Sequence, residues 1–370
     1  MSRHLHIVCA NAPWPADNSI AIDTFCKMKA LHNAGVKIHL HYFYKNPDCH
    51  PTELNKYCES VHTYCPSGKT MEVPDHNCEK SKEIADVISK DDYPVLFEGI
   101  NCTATLSKLA ESNRKIVVRM YNDECQYYQH LAKSCGSFFQ KIKMNRISKE
   151  MKKYEDALPK NCTYAFSSLE NSATFKHDHQ HHESVTFLPY FSYSKSVESK
   201  TGMGNFCLYH GDLSEPCNEK AVLWLLEKVF NDISTPLVIA GKDPEKQIIK
   251  LSEFYNHTCL IINPSKEEID DLISKAHINI LPSFSNKRPE LKLLHALYNG
   301  RHCVVNDNAV VNTGLEEACH IGSTANAFKS IILQLYHRPF EDEEIKLRER
   351  LFWNVNMEDP AKKLIKLLYG

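Results

Sequence analysis

The run of residues 279–306 constrains the fold of this chain more than any other stretch. It begins with an apolar strand that ends at Leu281, continues with a helix over residues 291–298, and closes with a strand over residues 303–305. The leucines of the helix fall on neighbouring faces, so the helix is buried. We predict that Gly300 ends it in a left-handed conformation. A strand, a buried helix and a second strand in this order favour parallel pairing of the two strands.

The same alternation of strands and helices runs through the whole chain. The predicted strands are residues 6–10, 36–43, 95–97, 115–118, 164–166 and 185–188, then 206–209, 236–240, 259–262, 277–281 and 303–305. The clearest predicted helices are residues 20–33, 138–158, 218–229, 267–275 and 291–298. Two such series predict an α/β fold with two Rossmann-like domains, which we expect to face each other across a cleft.

The length of 370 residues suits two domains rather than one. We predict an N-terminal domain over residues 1–192 and a linker over residues 193–204, where Ser, Lys and Gly are frequent. A C-terminal domain then spans residues 205–345. The helical region 346–370 is expected to pack back on the N-terminal domain.

Charge and hydropathy exclude several classes of protein. The net charge of −2 lacks the basic excess of a nucleic-acid-binding protein, and it leaves at most peripheral contact with an anionic membrane. The N-terminus enters a strand directly, without an apolar leader segment. Because no apolar run approaches the ~20 residues that span a bilayer, we expect a cytoplasmic protein.

The 15 cysteines are scattered, odd in number and never spaced as C-x-x-C. This pattern favours reduced, buried thiols over a disulfide framework or a zinc site. Residues 177–183 are rich in histidine and acidic side chains, which leaves metal binding open as the lesser alternative to a solvated loop. We therefore predict no metal site and no cofactor.

Open parallel sheets bind ligands beyond the carboxyl ends of their strands. The loops at these ends are residues 11–19, 98–99, 119–124, 210–212, 241–242 and 283–292. In two of them a glycine precedes a charged residue, Gly211-Asp212 and Gly241-Lys242. The glycines permit a sharp turn and close approach of a ligand. Lys242 would attract a phosphate, although a surface lysine in an ordinary turn is an equal alternative.

The helix that begins at Leu291 directs its free amides and positive dipole end toward the same edge, which suits a diphosphate. Lys292 lies in its first turn, where a cation is unfavourable unless an anion is bound nearby. No G-x-G-x-x-G segment is present at these turns, so a classical dinucleotide fingerprint is absent.

In order and spacing, these features resemble the family-4-type (group 1) retaining glycosyltransferases of the GT-B fold, bacterial members in particular. The resemblance covers most of the chain. The segments that carry it are residues 12–19, 119–128, Tyr209-x-Gly211, Asn218, residues 239–242 and residues 291–300.

The resemblance implies transfer of a sugar from a nucleotide-sugar donor to a glycan or lipid-linked acceptor, with retention and without a metal. Residues 1–192 would be the acceptor side and residues 205–345 the donor domain. The implied catalytic residues are Glu98, Lys242 and Lys292. The implied donor-binding residues are Gly211, Asp212, Gly241, Leu291 and His295. The implied acceptor and phosphate-loop residues are Asn18, Ser19, Arg119, Asn122 and Glu124. For Arg119, binding an anion and pairing with Glu124 both stay open.

The chain departs from the family at two positions of the donor helix region. Lys287 and His295 stand where the family has two glutamates eight positions apart, which contact the donor sugar and the ribose. For His295, a core position and a ribose contact are equal alternatives. The departure motivates a second hypothesis, a non-catalytic relative that binds a glycan, a nucleotide or a protein. A different GT-B-like enzyme, such as a nucleotide-sugar epimerase, is the third.

Overall fold

A computed structural model of the full chain describes residues 2–16, 19–44, 52–64, 73–74, 79–121, 123–134, 138–179, 184–191, 196–284, 291–310, 313–355 and 359–370. The chain divides into two compact units. The first unit comprises Met1–Phe191 and Glu358–Gly370, and the second unit comprises Ser192–Met357. Among the helices that the structure describes, none combines the length and the apolar character needed to span a bilayer.

The first unit is built on a seven-stranded sheet in the order β3-β2-β1-β4-β5-β6-β7, and every pairing in it is parallel. Its strands are β1 (Arg3–Cys9), β2 (Val36–Phe43), β3 (Ser60–Tyr64), β4 (Val95–Glu98), β5 (Ile116–Met120), β6 (Thr163–Phe166) and β7 (Ser184–Phe187). Its helices before residue 191 are α1 (Ser19–Asn33), α2 (Glu79–Ile88), α3 (Leu106–Ala110), α4 (Glu124–Ser134), α5 (Phe138–Asp156) and α6 (Leu169–Asp178). The chain builds outward from β1 to β3 and then returns to β4, so the direction of winding reverses between β1 and β4.

The second unit repeats this plan with a six-stranded sheet in the order β10-β9-β8-β11-β12-β13, again parallel. Its strands are β8 (Cys207–Asp212), β9 (Leu237–Lys242), β10 (Thr258–Ile262), β11 (Ile278–Ile280), β12 (His302–Val305) and β13 (His320–Ile321). Its helices are α7 (Pro216–Trp224), α8 (Lys246–Phe254), α9 (Lys266–Lys275), α10 (Leu291–Asn299), α11 (Asp307–Val310), α12 (Ala325–Leu335) and α13 (Asp342–Val355). Here the winding reverses between β8 and β11.

The last part of the chain forms two helices with different partners. Arg348 of α13 is buried in the second unit and donates to the carbonyl oxygens of Leu297 at 3.0 Å and Gly300 at 2.6 Å. A final helix, α14 (Pro360–Tyr369), belongs to the first unit. Its Tyr369 hydroxyl donates to the carbonyl oxygen of His4 at 2.7 Å.

Gly300 does not have the positive φ that the sequence analysis predicted for it. The glycine is required for space instead. A Cβ at this position would lie 2.3 Å from Nδ2 of Asn279 and 2.8 Å from the carbonyl oxygen of Ala296. The end of α10 therefore packs directly against β11, which fixes the helix over the sheet.

A relay of hydrogen bonds links the first three strands of the first unit. His6 Nε2 donates to Asp91 at 3.1 Å, and His6 Nδ1 lies 2.9 Å from His41 Nε2. His41 Nδ1 in turn lies 2.9 Å from the hydroxyl of Tyr64. With both histidines neutral and protonated at Nε2, each contact has one donor and one acceptor. An added proton would convert an acceptor nitrogen into a donor, so the hydroxyl of Tyr64, and for His6 also the tautomer of His41, would have to change to accept it.

Burial keeps the imidazoles of His6 and His41 neutral at pH 7. Burial is the largest cause that lowers the pKa of His6 from 6.5 to about 4, against the opposing effect of Asp91. Burial and then the neighbouring His6 lower the pKa of His41 from 6.5 to about 2. The unfolded chain therefore binds protons at these positions before the folded chain does. Their contribution to stability is present above pH 6.5 and is lost as the pH falls below it.

We predict that the stability of His41→Asn falls less than that of the wild type as the pH is lowered from 7.5 to 5.5. One buried neutral histidine costs about 1.4 kcal/mol of stability between pH 7.5 and pH 5.5, from the proton uptake of the unfolded state. Wild type should exceed the variant by about 1.4 kcal/mol more at pH 7.5 than at pH 5.5. Urea unfolding at both pH values measures the difference. A gap that is equal at both pH values would contradict the relay.

Candidate functional site

A pocket of about 110 Å³ lies in the first unit at the reversal between β1 and β4. It is lined by residues 9–13, Ile20, Ala21, Thr24, residues 98–101, Met120, Tyr121 and Glu124. These residues follow the carboxyl ends of three neighbouring strands or lie on α1 and α4. The position is the one at which doubly wound sheets bind ligands.

Gly99 forms part of the pocket wall immediately after β4. Its φ of 100° and ψ of 153° are a conformation that only glycine adopts readily. The nearest atom to a Cβ there would be Tyr121 Cδ2 at 3.9 Å, so backbone conformation rather than space requires the glycine. The chain thereby turns away from the sheet directly beside Glu98.

Glu98 forms the polar floor of this pocket, and both of its carboxylate oxygens are bound. Lys27 Nζ donates to Oε1 at 2.7 Å and to Oε2 at 2.8 Å, and the hydroxyl of Tyr121 lies 2.7 Å from Oε2. Thr24 Oγ1 donates to Oε2 at 3.5 Å. An oxygen that already accepts these bonds is held in place, so the carboxylate fixes the shape and charge of the floor.

Asp23 and Arg119 complete a buried charge cluster, which we define as Asp23, Lys27, Glu98 and Arg119. Lys27 Nζ lies 3.0 Å from Asp23 Oδ2, and Arg119 Nε lies 3.6 Å from the same oxygen. The four side chains are almost completely shielded from solvent. Two cations and two anions give no net charge, which is the condition under which buried ions are tolerated.

The ionisation states in the cluster follow from these contacts. Burial raises the pKa of Asp23, but the cations of Lys27 and Arg119 outweigh it and leave that pKa below its usual value. Burial and the carboxylates of Asp23 and Glu98 raise the pKa of Tyr121 well above its usual value. The carboxylate of Asp23 is therefore ionised at neutral pH, and Tyr121 keeps its proton.

The predicted residues of the acceptor side fall into three groups. Glu98 and Glu124 line the pocket. Arg119 lies beneath it, where Nη2 donates to the carbonyl oxygen of Pro189 at 3.2 Å and Nη1 donates to that of Leu188. Asn18 and Asn122 are outside the described residues, as is the side chain of Ser19, which begins α1.

The second unit brings several predicted residues together at the reversal between β8 and β11. Lys292, in the first turn of α10, donates to Asn218 Oδ1 at 2.8 Å, and its Nζ lies 5.2 Å from the centre of the Tyr209 ring. Asn218 Nδ2 donates to the carbonyl oxygen of Asp212 at 2.9 Å. Asp212 pairs in register with Lys242 on β9. Two lysines thus lie at the carboxyl edge of the sheet, one on a strand and one on a helix.

The sequence analysis placed His210 in a loop at this edge and gave it no role in the site, and the structure shows that it is buried there. It is 5% exposed, and its Nε2 has no hydrogen-bond partner among the described residues. Burial, then the nearby His295 and Lys292, hold the pKa of His210 well below its usual value. His295 itself lies with Nε2 3.0 Å from Asp270 Oδ1, and its ring is perpendicular to that of His210 at 6.4 Å.

Glycine is required at position 241 because the ends of β8 and β9 approach each other closely there. A Cβ on Gly241 would lie 2.0 Å from the carbonyl oxygen of Gly211 and 2.7 Å from Leu213 Cγ. The two glycines are partners in register between β8 and β9. The glycine turn therefore serves close packing of the strand ends, in addition to any space that it leaves for a ligand. Lys287 lies outside the described residues.

Comparison with known proteins finds a family match in the second unit. Residues 204–338 match a family described as glycosyl transferases group 1. Among characterised proteins, none matches the chain significantly by sequence.

Solved structures match the whole chain. TarM is 10% identical with a TM-score of 0.70, over 100% of this chain and 99% of that one. HepE of Anabaena in complex with UDP and glucose is 8% identical with a TM-score of 0.65, over 98% and 99%. A glycosyltransferase from Rickettsia africae is 13% identical with a TM-score of 0.63, over 100% of both chains. Identities this low establish the fold alone, so the predicted fold of two Rossmann-like domains, GT-B, is confirmed.

We predict that the buried charge cluster is strongly coupled. Lys27→Met or Glu98→Gln alone leaves an unbalanced buried charge, which should cost about 3–5 kcal/mol. The double variant removes one charge of each sign, so its cost should fall short of the sum of the two by at least about 1 kcal/mol. Urea unfolding measures all three.

Lys37→Met is the matched control, because Lys37 makes a half-exposed ion pair with Glu59 at 3.5 Å. It should change stability by no more than about 0.5 kcal/mol. Additive effects of Lys27→Met and Glu98→Gln would show that the cluster is not a unit.

Proposed function

We propose that this protein is a glycosyltransferase that moves a sugar from a nucleotide-sugar donor to a glycan or glycoconjugate acceptor, lipid-linked acceptors included. The reaction proceeds with retention at the anomeric carbon, without an obligatory metal, in the cytoplasm. The observation that carries the proposal is the arrangement at the β8–β11 reversal. There two lysines, a buried imidazole and the N-terminus of α10 come to one edge of the sheet.

This arrangement matches the main chemical demand of the reaction. The nucleoside diphosphate leaves as an anion, and preorganised positive groups stabilise the charge that develops on it. Lys292 is positioned by the amide oxygen of Asn218 and the ring of Tyr209, which orient its ammonium group at this edge. The amides of α10 and the ammonium of Lys242 add to the same field. Catalysis is assigned to Lys292 and Lys242.

The two histidines supply the polar contacts of the donor. His210 is neutral, and its Nε2 is available to the sugar or the phosphate. His295 occupies the position at which the resembling family has a glutamate that contacts the ribose. Because Asp270 holds His295 Nε2, the other ring nitrogen is left to meet a ribose hydroxyl. The pair of Asp270 and His295 would then take the place of the glutamate that contacts the ribose in the resembling family.

The first unit supplies the acceptor site in this proposal. Its pocket is lined by Glu98 and Glu124, and the proposal adds Asn122 from the loop after β5. Glu98 acts as a positioning residue, because Lys27 and Tyr121 bind both of its oxygens. Glu124 orients acceptor hydroxyls. Arg119 is a structural cation, with Asp23 as the carboxylate beside it.

A second candidate function is binding without turnover. The observation that favours it is that His295 faces Asp270 in a place where the family uses a glutamate on the donor. Such a protein would keep the diphosphate site and lose the sugar contacts. Nucleotide binding is common to both candidates, and only sugar transfer or donor hydrolysis separates them.

We predict that UDP, the nucleotide bound to HepE, stabilises the folded chain. At a UDP concentration of 100 times Kd, the gain is about 2.7 kcal/mol, seen as a rise in Tm. Lys292→Met and Lys242→Met should each weaken binding at least about tenfold and so remove about 1.4 kcal/mol of this gain. Lys250→Met is the matched control, because Lys250 is exposed on α8 of the same unit. Equal shifts in all four proteins would place UDP elsewhere.

We further predict slow hydrolysis of UDP-glucose by the wild type, and its loss in Lys292→Met. Release of UDP and free glucose, followed by chromatography, measures the reaction, and NMR of the first-formed anomer measures retention. Binding of UDP with no hydrolysis and no transfer to any glycan would exclude glycosyltransferase activity. Binding without turnover would then be the function that remains.

A further inference from the structure

Three side chains converge in the second unit, away from the carboxyl edge that carries the proposed donor site. His302 is the first residue of β12, His320 is the first residue of β13, and Glu344 lies in the first turn of α13. One ligand-type atom from each lies within 4.8 Å of the other two. The group occupies the amino end of β12, whereas the proposed donor site lies beyond the carboxyl ends of β8 and β9.

His302 is oriented as a metal-binding histidine would be. It is fully buried, and its Nε2 donates to the carbonyl oxygen of Arg338 at 3.0 Å. That bond fixes the proton on Nε2. The lone pair of Nδ1 then points into the group, and among the described residues Nδ1 has no hydrogen-bond partner. Metal-bound histidines characteristically donate their second ring nitrogen to a carbonyl or carboxylate in this way.

Glu344 is oriented toward the same point. Its Oε2 accepts from the backbone nitrogen of Glu341 at 3.0 Å, which leaves Oε1 3.3 Å from His302 Nδ1. A carboxylate oxygen and an imidazole lone pair repel each other at this distance unless a cation binds both. The guanidinium of Arg338 does not fill that role, because its Nη2 lies 3.8 Å from Glu344 Oε1, beyond hydrogen-bond distance.

We propose that His302 Nδ1, His320 and Glu344 Oε1 bind a divalent transition-metal ion of the zinc class, with water as the fourth ligand. Two ligands at the usual distances from a tetrahedral zinc ion are about 3.3 Å apart, which follows from bond lengths of about 2.0–2.1 Å. The separation of His302 Nδ1 and Glu344 Oε1 is 3.3 Å. Two histidines and one carboxylate are a donor set that suits Zn²⁺.

The ion would join three elements that are distant in sequence. It would attach the start of α13 to the edge strands β12 and β13. Strand β13 has two residues, and among the described strands it pairs only with β12, at the edge of the sheet. The site is structural in this proposal, and it is independent of the metal-free sugar transfer proposed above.

The competing explanation is a protonated His302 that pairs with Glu344 without any ion. A titration of the chelator-treated full-length protein with Zn²⁺ and with Co²⁺ decides between them. Metal content per chain, Tm and the visible spectrum of bound Co²⁺ are measured. We expect one tightly bound ion per chain, a higher Tm, and a tetrahedral Co²⁺ spectrum that lacks a thiolate charge-transfer band.

Two variants test the ligands. Glu344→Gln keeps the shape of the side chain and removes its charge, and His320→Asn removes the half-buried histidine. Each should weaken metal binding about 100-fold or more, while circular dichroism shows a folded protein. His337→Asn is the matched control, because His337 is exposed on the same unit, and it should bind metal as the wild type does.

Two results would overturn the proposal. One is equal binding of Zn²⁺ by the wild type, Glu344→Gln and His320→Asn. The other is no effect of Zn²⁺ on the Tm of the wild type, which would leave a protonated His302 as the cation beside Glu344. A thiolate band in the Co²⁺ spectrum that persists in both variants would assign the metal to cysteines instead.

Discussion

Parallel pairing in both sheets determines where this protein can bind a ligand. Every strand delivers its carboxyl end to the same edge, and the winding reverses between β1 and β4 and between β8 and β11. At each reversal the connections leave in opposite directions, which leaves an opening between the strand ends. The pocket beside Glu98 lies at the first reversal, and Lys292 and His210 lie at the second. The residues proposed for function therefore lie at the ends of strands or on the helices that begin at these two places.

The first of these sites requires charged side chains in the interior of the protein. The floor of its pocket carries Glu98, and in the interior the cations of Lys27 and Arg119 balance the carboxylates of Glu98 and Asp23. The histidine relay from Asp91 to Tyr64 handles polar groups differently, because it keeps both imidazoles neutral and satisfies each ring nitrogen. In the second unit, the buried His302 Nδ1 has no hydrogen-bond partner among the described residues. That contrast is the reason for proposing a metal ion at His302.

The fold was predictable from the sequence because apolar runs at regular intervals identify buried parallel strands. Strand β3 escaped prediction because its sequence, Ser60–Tyr64, is mostly polar and only partly buried, and β13 has only two residues. Lys27 escaped because it lies on an apolar helix, where only its spacing of four from Asp23 hints at a buried pair. The proposed metal ligands are spread from residue 302 to residue 344, so no local motif contains them. Such groups are assembled by tertiary structure and leave no pattern in the sequence.

The central claim is that the β8–β11 reversal of the second unit binds a nucleoside diphosphate. A crystal structure of the protein with UDP at a saturating concentration tests it most directly. We expect a diphosphate oxygen within about 3 Å of Lys292 Nζ, with the phosphates facing the first turn of α10. UDP found only in the pocket of the first unit, or no bound UDP at all, would contradict the claim.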